Sequence, residues 1–194
     1  MVIQMDKHIE IEYKILLDKQ SFDKILQTYH NQITQDYTQT NYYFTHPSFH
    51  EKHYMLRIRE KENTYEMTLK KPHHNHLLEY NLNITQKEKE AFCQNKIINN
   101  DIINLLKKEI DITLLSQQFS LTTHRYDIQL HEGVLSLDHN TYLEQEDYEL
   151  EFEVYNEESG YQKFLEIIEP FDLHYTHNAQ SKIARALKAY EKRL

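Results

Sequence analysis

Glycine is nearly missing from this chain: Gly133 and Gly160 are the only two in 194 residues. Phosphate-cradling loops of the P-loop or dinucleotide type need several glycines at fixed spacing, because the backbone itself approaches the phosphate. Both are excluded, so any phosphate bound here must be held by side chains. Cysteine is scarcer still. Cys93 stands alone, so no intrachain disulfide forms and a reducing compartment fits. No apolar run approaches the length of a membrane span. The N-terminal MVIQMDKHIE lacks the apolar core and cleavage site of a signal peptide, and the expectation is a cytoplasmic protein. Positive charge is in deficit too, with 22 Lys and Arg against 31 Asp and Glu and a net charge of −9. Such a chain has no general attraction for nucleic acid or an anionic membrane. An anionic partner would need a local cluster of Lys and Arg.

What is present is alternation. In HIEIEYKIL, residues 8–16, Glu10, Glu12 and Lys14 share one face of a strand, and Ile9, Ile11, Tyr13 and Ile15 share the other. Seven further segments read the same way: roughly 37–45, 54–61, 64–70, 79–84, 121–130, 134–139 and 148–154. Their connections are short, which favours antiparallel pairing, and HEG at 131–133 reads as a hairpin turn. Helical period appears at 20–30, with Ser21 as a candidate cap, and at 86–97, 102–109, 159–169 and 180–194. There is no repeat, low-complexity tract or linker, so the reading is one α+β domain over 1–194.

The helices each carry one apolar stripe and can cover the apolar sheet face from outside. Eight strands suffice to close a barrel with the polar face inward. That face is densely charged: Glu10, Glu12, Lys14, Arg57, Arg59, Lys70, Glu79, Arg125, Asp138, Glu149, Glu151 and Glu153. Like charges two residues apart repel, so each row needs an offsetting partner. Clustered carboxylates suit a hard divalent cation such as Mg²⁺ or Mn²⁺, and Glu149, Glu151 and Glu153 form the densest row. Paired guanidinium groups, as at Arg57 and Arg59, match phosphate oxygens. Each row by itself fits a solvated strand better than a site. The tract KKPHHNH at 70–76 holds three histidines, but Pro72 marks a loop and the spacing lacks zinc-site geometry. Cys93 reads as a core or boundary thiol. Tyr13, Tyr65 and Tyr80 fall on the apolar side, as core residues.

In order along the chain these charged strands resemble the CYTH family, also called triphosphate tunnel metalloenzymes. The resemblance rests on Glu10-x-Glu12-x-Lys14, Arg57-x-Arg59, Lys70 with Pro72 and Glu79. It continues through Thr122-x-x-Arg125, Leu137-Asp138, Glu149-x-Glu151 and Ser181-Lys182. It implies an eight-stranded antiparallel β-barrel forming a tunnel, with helices packed outside, that binds a small-molecule triphosphate with Mg²⁺ or Mn²⁺. By carry-over Lys14, Arg57, Arg59, Lys70, Arg125 and Lys182 hold phosphates, with Glu79 beside them. Glu10, Glu12, Asp138, Glu149, Glu151 and, by extension, Glu153 hold metal. The implied catalytic set is Glu10, Glu12, Lys14 and Glu151. The expected activity is metal-dependent hydrolysis of a triphosphate, with inorganic triphosphate favoured because no base-recognition motif is visible. An adenylyl cyclase making cyclic AMP, or a sensor that binds polyphosphate or nucleotide without turnover, uses the same residues. The helix faces leave a homodimer open.

Overall fold

The computed structural model describes residues 6–74 and 76–193, and for residues 6–10 the backbone alone. The chain forms two compact units. Of the described residues, one comprises those from 6 to 10 and from 39 to 121, the other those from 11 to 38 and from 122 to 193.

In the first unit, β1 (Asp6–Glu10), β4 (Met55–Lys61), β5 (Thr64–His73), β6 (His76–Ile84) and residues 39–45 of β3 (Ile33–Thr45) lie in the order β1-β6-β5-β4-β3. Each neighbouring pair is antiparallel. The apolar face presents Leu56, Ile58, Met67, Leu69, Leu82 and Ile84 to Phe92 of α3 (Gln86–Cys93) and to Ile102, Ile103 and Leu106 of α4 (Asp101–Leu106). Tyr65 joins this core and Tyr80 packs against it, as expected of both. Cys93 lies at its margin, where burial pushes the thiol up. A short helix, α2 (Phe49–Lys52), buries Phe49 against the same core. Thr85 caps α3 through a reciprocal box with Glu88.

In the second unit the order is β7-β8-β9-β2, from residues 122–129 of β7 (Ser116–Gln129), β8 (Gly133–Tyr142), β9 (Gln145–Val154) and β2 (Glu12–Leu17). Its apolar face, with Tyr13, Ile15, Leu135, Leu137, Leu150 and Phe152, is covered by α1 (Lys19–Tyr29) and α5 (Glu157–Ile168). The last helix, α6 (Lys182–Glu191), starts from a Ser181 cap. Both glycines of the chain sit against Val154. A Cβ on Gly133 would come 2.0 Å from the Glu153 carbonyl oxygen, and one on Gly160 would come 2.5 Å from Val154 Cβ.

Three expectations change. The first predicted strand divides at Ile11: β1 pairs with β6 and β2 with β9. Nine strand elements therefore replace eight segments among the described residues. Alternation runs on through Ile11, and a change of hydrogen-bonding partner leaves no mark on it. The cap of α1 is Asp18, whose side chain accepts from the Ser21 backbone N–H, rather than Ser21. Pro72 lies inside β5 opposite Leu77, not in a loop. The pairing of β5 with β4 reaches only to Lys70, so no ladder bond on that side is lost at a proline. No described helix is long and apolar enough to cross a membrane.

Candidate active site

The polar face of the second unit is organised by strand register into three cross-strand rows. Lys14, Glu151, Ser136 and Asp127 are successive partners in the first. Arg125, Asp138 and Glu149 make the second, and Thr123, Asn140 and Asp147 the third. Alternation turns all of these away from α1 and α5. Helix α6 then adds Lys182 and Arg185, one turn apart, to the same face.

The contacts run along and between the rows. Arg125 donates Nε to Asp138 Oδ1 at 2.7 Å and Nη2 to Asp138 Oδ2 at 2.6 Å, and reaches Glu151 Oε2 at 2.5 Å. Lys182 Nζ lies 2.7 Å from Asp138 Oδ2 and 2.8 Å from Glu151 Oε1, and also donates to Glu149 Oε1. Lys14 Nζ is 3.6 Å from Glu151 Oε1 and pairs with Glu12. Ser136 donates to Asp127 Oδ1 at 2.6 Å, and Tyr37 donates to Asp127 Oδ2 at 3.0 Å. In the third row Thr123 donates to Asn140 at 2.6 Å, and Asn140 donates to Asp147 at 3.0 Å. Arg185 holds Asp147 with a fork of 2.7 and 3.0 Å and stands 2.7 Å from Glu149 Oε2.

Asp138 and Glu149 have no solvent exposure. Burial opposes charge on Asp138 and Glu151, but Arg125 and Lys182 hold both below the usual carboxylate range, with Lys14 adding to the effect on Glu151. Glu149 differs. Burial, with repulsion from Glu151 and Asp138, pushes it up to about 7, although Lys182 and Arg185 pull the other way. Lys14 and Lys182 are raised above an ordinary lysine by these carboxylates despite their burial.

Asp138, Glu149 and Glu151 each place one oxygen within 4.8 Å of the others. Hard oxygen donors at that spacing fit a divalent cation. Glu149 Oε2 is buried, with Arg185 Nη2 2.7 Å away as its charged neighbour. A carboxylate oxygen has two lone pairs, so one remains for a metal. Glu12, another of the expected ligands, lies outside this group in its ion pair with Lys14. Glu153, opposite Glu12 in register, is exposed and also stands apart. Glu10 falls on β1 opposite Leu77, and its side chain lies outside the described residues.

In the first unit β4 places Arg57 opposite Thr68 and Tyr43, and Arg59 opposite Glu66 and Asn41. Arg59 Nε donates to Asn41 Oδ1 at 3.2 Å. Lys70 Nζ is 2.8 Å from Glu79 Oε2, Asn81 donates to Glu79 Oε1 at 2.9 Å, and Thr68 donates to Asn81 at 2.8 Å. Burial would raise the Glu79 carboxyl, but Lys70 and Arg57 bring it down to about 2. The histidines of the 70–76 tract join no metal-holding group among the described residues.

Three participants escape sequence reading. Arg185 had a signal in its spacing, one helical turn after Lys182. Asp147 lies on the same strand face as Glu149 and Glu151. Asn178 sits in an irregular segment and gave no signal. Its amide donates to the Glu12 carbonyl at 2.9 Å and accepts from the Lys14 N–H at 2.8 Å, while the Ala179 N–H donates to the Lys14 carbonyl at 3.1 Å. The chain is thus tied to the outer edge of β2 three residues before the cap of α6.

Comparison with known proteins accords with this geometry. The model of the CYTH domain matches residues 8–187. YjbK of Bacillus subtilis, provisionally named a triphosphatase, is 36% identical over 174 residues, covering 87% of this chain and 90% of YjbK. A Bacillus halodurans crystal structure, provisionally described as an adenylate cyclase, superposes with a TM-score of 0.85 at 34% identity, over 92% of this chain and 97% of the other. HpAC1 from Hippeastrum, for which a dominant triphosphatase activity is described, superposes with a TM-score of 0.77 at 19% identity, over 92% of this chain and 95% of the other, a likeness of fold. The α+β fold class, with antiparallel strands and outer helices, is the one these structures share. The chain belongs to the CYTH domain family.

Proposed function

We propose that this protein is a divalent-metal-dependent triphosphatase acting on a small-molecule triphosphate, with inorganic triphosphate as the preferred substrate. The observation that carries the reading is the buried group Asp138, Glu149 and Glu151 with Lys14, Arg125, Lys182 and Arg185 packed around it. Its 36% identity with YjbK, itself named for triphosphatase activity, supports the same reaction class. The three carboxylates are the assigned holders of Mg²⁺ or Mn²⁺. Such an ion supplies a Lewis acid for phosphoryl oxygens and lowers the pKa of a bound water.

The remaining roles fall to side chains. Lys14, Arg125 and Lys182 neutralise phosphate oxygens and stabilise the charge that moves to the leaving oxygen as the terminal P–O bond breaks. Arg57, Arg59 and Lys70 are assigned further phosphate contacts, with Glu79 orienting Lys70. Glu12, outside the metal group and paired with Lys14, is assigned the attacking water, which it positions and deprotonates. Water adds to the terminal phosphorus, and phosphate and pyrophosphate leave.

The test is a substrate panel of triphosphate, thiamine triphosphate, ATP and GTP, each with Mg²⁺ and with Mn²⁺. The reading expects orthophosphate release fastest from inorganic triphosphate and lost in Asp138→Asn. Cyclic AMP with pyrophosphate from ATP would make the protein a cyclase. Tight metal-dependent binding with no product would make it a sensor.

A further inference from the structure

The lysine that should hold phosphate already has three partners. Lys182 Nζ contacts one oxygen of each carboxylate in the metal-holding group: Asp138 Oδ2 at 2.7 Å, Glu151 Oε1 at 2.8 Å, and Glu149 Oε1. A magnesium ion binds oxygens at about 2.0–2.1 Å, well inside an ammonium's hydrogen-bond distance, and needs the same lone pairs. An ion bound there and an ammonium in its present position would overlap, and their charges would repel. The ammonium therefore stands in for a metal.

We infer that the Asp138–Glu149–Glu151 group is a cation site with two alternative occupants, the Lys182 ammonium and a divalent ion, and that arrival of a phosphate transfers Lys182 from the carboxylates to the substrate. The second half rests on the triphosphatase reading, whereas the first does not. The exchange needs no departure of α6. Arg185, one turn further on, is fixed by its fork to Asp147, and Asp147 is held in turn by Tyr142 at 2.7 Å and Asn140 at 3.0 Å. That fork is made to a carboxylate outside the group, so rotation of the Lys182 side chain releases Asp138 Oδ2, Glu149 Oε1 and Glu151 Oε1 from the ammonium while Arg125 keeps Asp138 and Glu151 Oε2 and Arg185 stays beside Glu149 Oε2.

The consequence is thermodynamic coupling. Metal alone must displace a lysine, and phosphate alone must draw that lysine from three carboxylates. Together each relieves the cost of the other, so each raises the other's affinity by the same factor.

Calorimetric titration of the metal-free protein with Mn²⁺ tests this, with and without a non-hydrolysable triphosphate analogue. The expected result is that Lys182→Met binds Mn²⁺ alone at least tenfold more tightly than the parent chain, and that the analogue's enhancement of Mn²⁺ affinity shrinks. Lys182→Met leaves three carboxylates facing one another and is expected to fold less well without metal. Its melting temperature should then rise more on adding Mn²⁺ than the parent's does, a readout that survives destabilisation. Lys182→Gln, one atom shorter and uncharged but still polar, should behave alike. Equal or weaker Mn²⁺ binding by both variants overturns the exchange, as does a parent chain that binds no Mn²⁺. A parent that binds Mn²⁺ but neither binds nor hydrolyses triphosphate overturns the triphosphatase reading and leaves the exchange at the carboxylates standing.

Discussion

Arg125 and Asp138 face each other across β7 and β8 with two near-parallel hydrogen bonds of 2.7 and 2.6 Å, and the carboxylate has no exposure. Removing Arg125 leaves the buried Asp138 carboxylate with Lys182 as its remaining charged partner and no water to replace the lost fork. Arg125→Met is expected to destabilise the protein by about 3–5 kcal/mol, and Arg125→Met with Asp138→Leu by clearly less, since no uncompensated charge remains. Urea unfolding of both variants measures this. Equal losses would mean that the pair contributes through packing alone.

Glu79 gives a pH dependence. Lys70 and Arg57 overcome its burial and bring its carboxyl to about 2 from an ordinary value of 4.5. A folded-state value below the unfolded one means that the stabilisation is complete above pH 4.5 and is lost as pH falls toward 2. Glu79→Gln should lower the melting temperature at neutral pH and flatten its decline through that acid window. Thermal melts from pH 6 to about pH 2 report it, and a variant whose acid limb matched the parent's would refute the assignment.

How much of this was legible in the sequence depends on the type of contact. Arg125, Asp138, Glu149 and Glu151 could be placed on one face because strand period is 2 and their hairpin partners are near in sequence, whereas Lys14, which pairs with Glu151 from the far end of the chain, could be placed only on the charged face of its own strand. The register that sets Arg125 against Asp138 and Asp138 against Glu149 is fixed by turn geometry, which alternation does not encode. Arg185 is separated from Asp147 by 38 residues and Asn178 from Lys14 by 164, and neither pair follows any local period. Burial also sorted acids that looked alike: Glu149 is enclosed, whereas Glu153, four residues on along the same face, is exposed.

Asn178 supports the next expectation. Its side chain serves two backbone groups of β2, so Asn178→Ala leaves an N–H and a carbonyl without their partner. A loss of about 1–3 kcal/mol follows. Because the same segment leads into Ser181 and Lys182, the variant should also lose triphosphate turnover out of proportion to its stability. Asn178→Asp can still accept from the Lys14 N–H but cannot donate to the Glu12 carbonyl, and should fall between. Activity and chemical denaturation measured together distinguish this from a loss in stability alone.

Arg185→Lys keeps a charge on α6 but cannot reproduce the fork on Asp147. Partners behind ligating carboxylates commonly affect activity by 10–100-fold, and a fall of at least tenfold in turnover is expected with the fold retained. Circular dichroism and initial rates at saturating Mn²⁺ decide it. Near-parental rates would reduce Arg185 to a surface pairing.

The placement of both glycines beside Val154 reaches beyond the site. Among the described residues, eight others take positive φ, including Leu143 and Glu144 in the turn between β8 and β9, while neither glycine does. Glycine is thus used here for proximity rather than for conformational freedom. At Gly133 the neighbour is backbone and cannot give way; at Gly160 it is the Val154 side chain, which a smaller residue would withdraw. For anyone recoding this chain, Val154 marks where volume rather than charge sets the limit, and position 160 becomes open to alanine once Val154 is reduced.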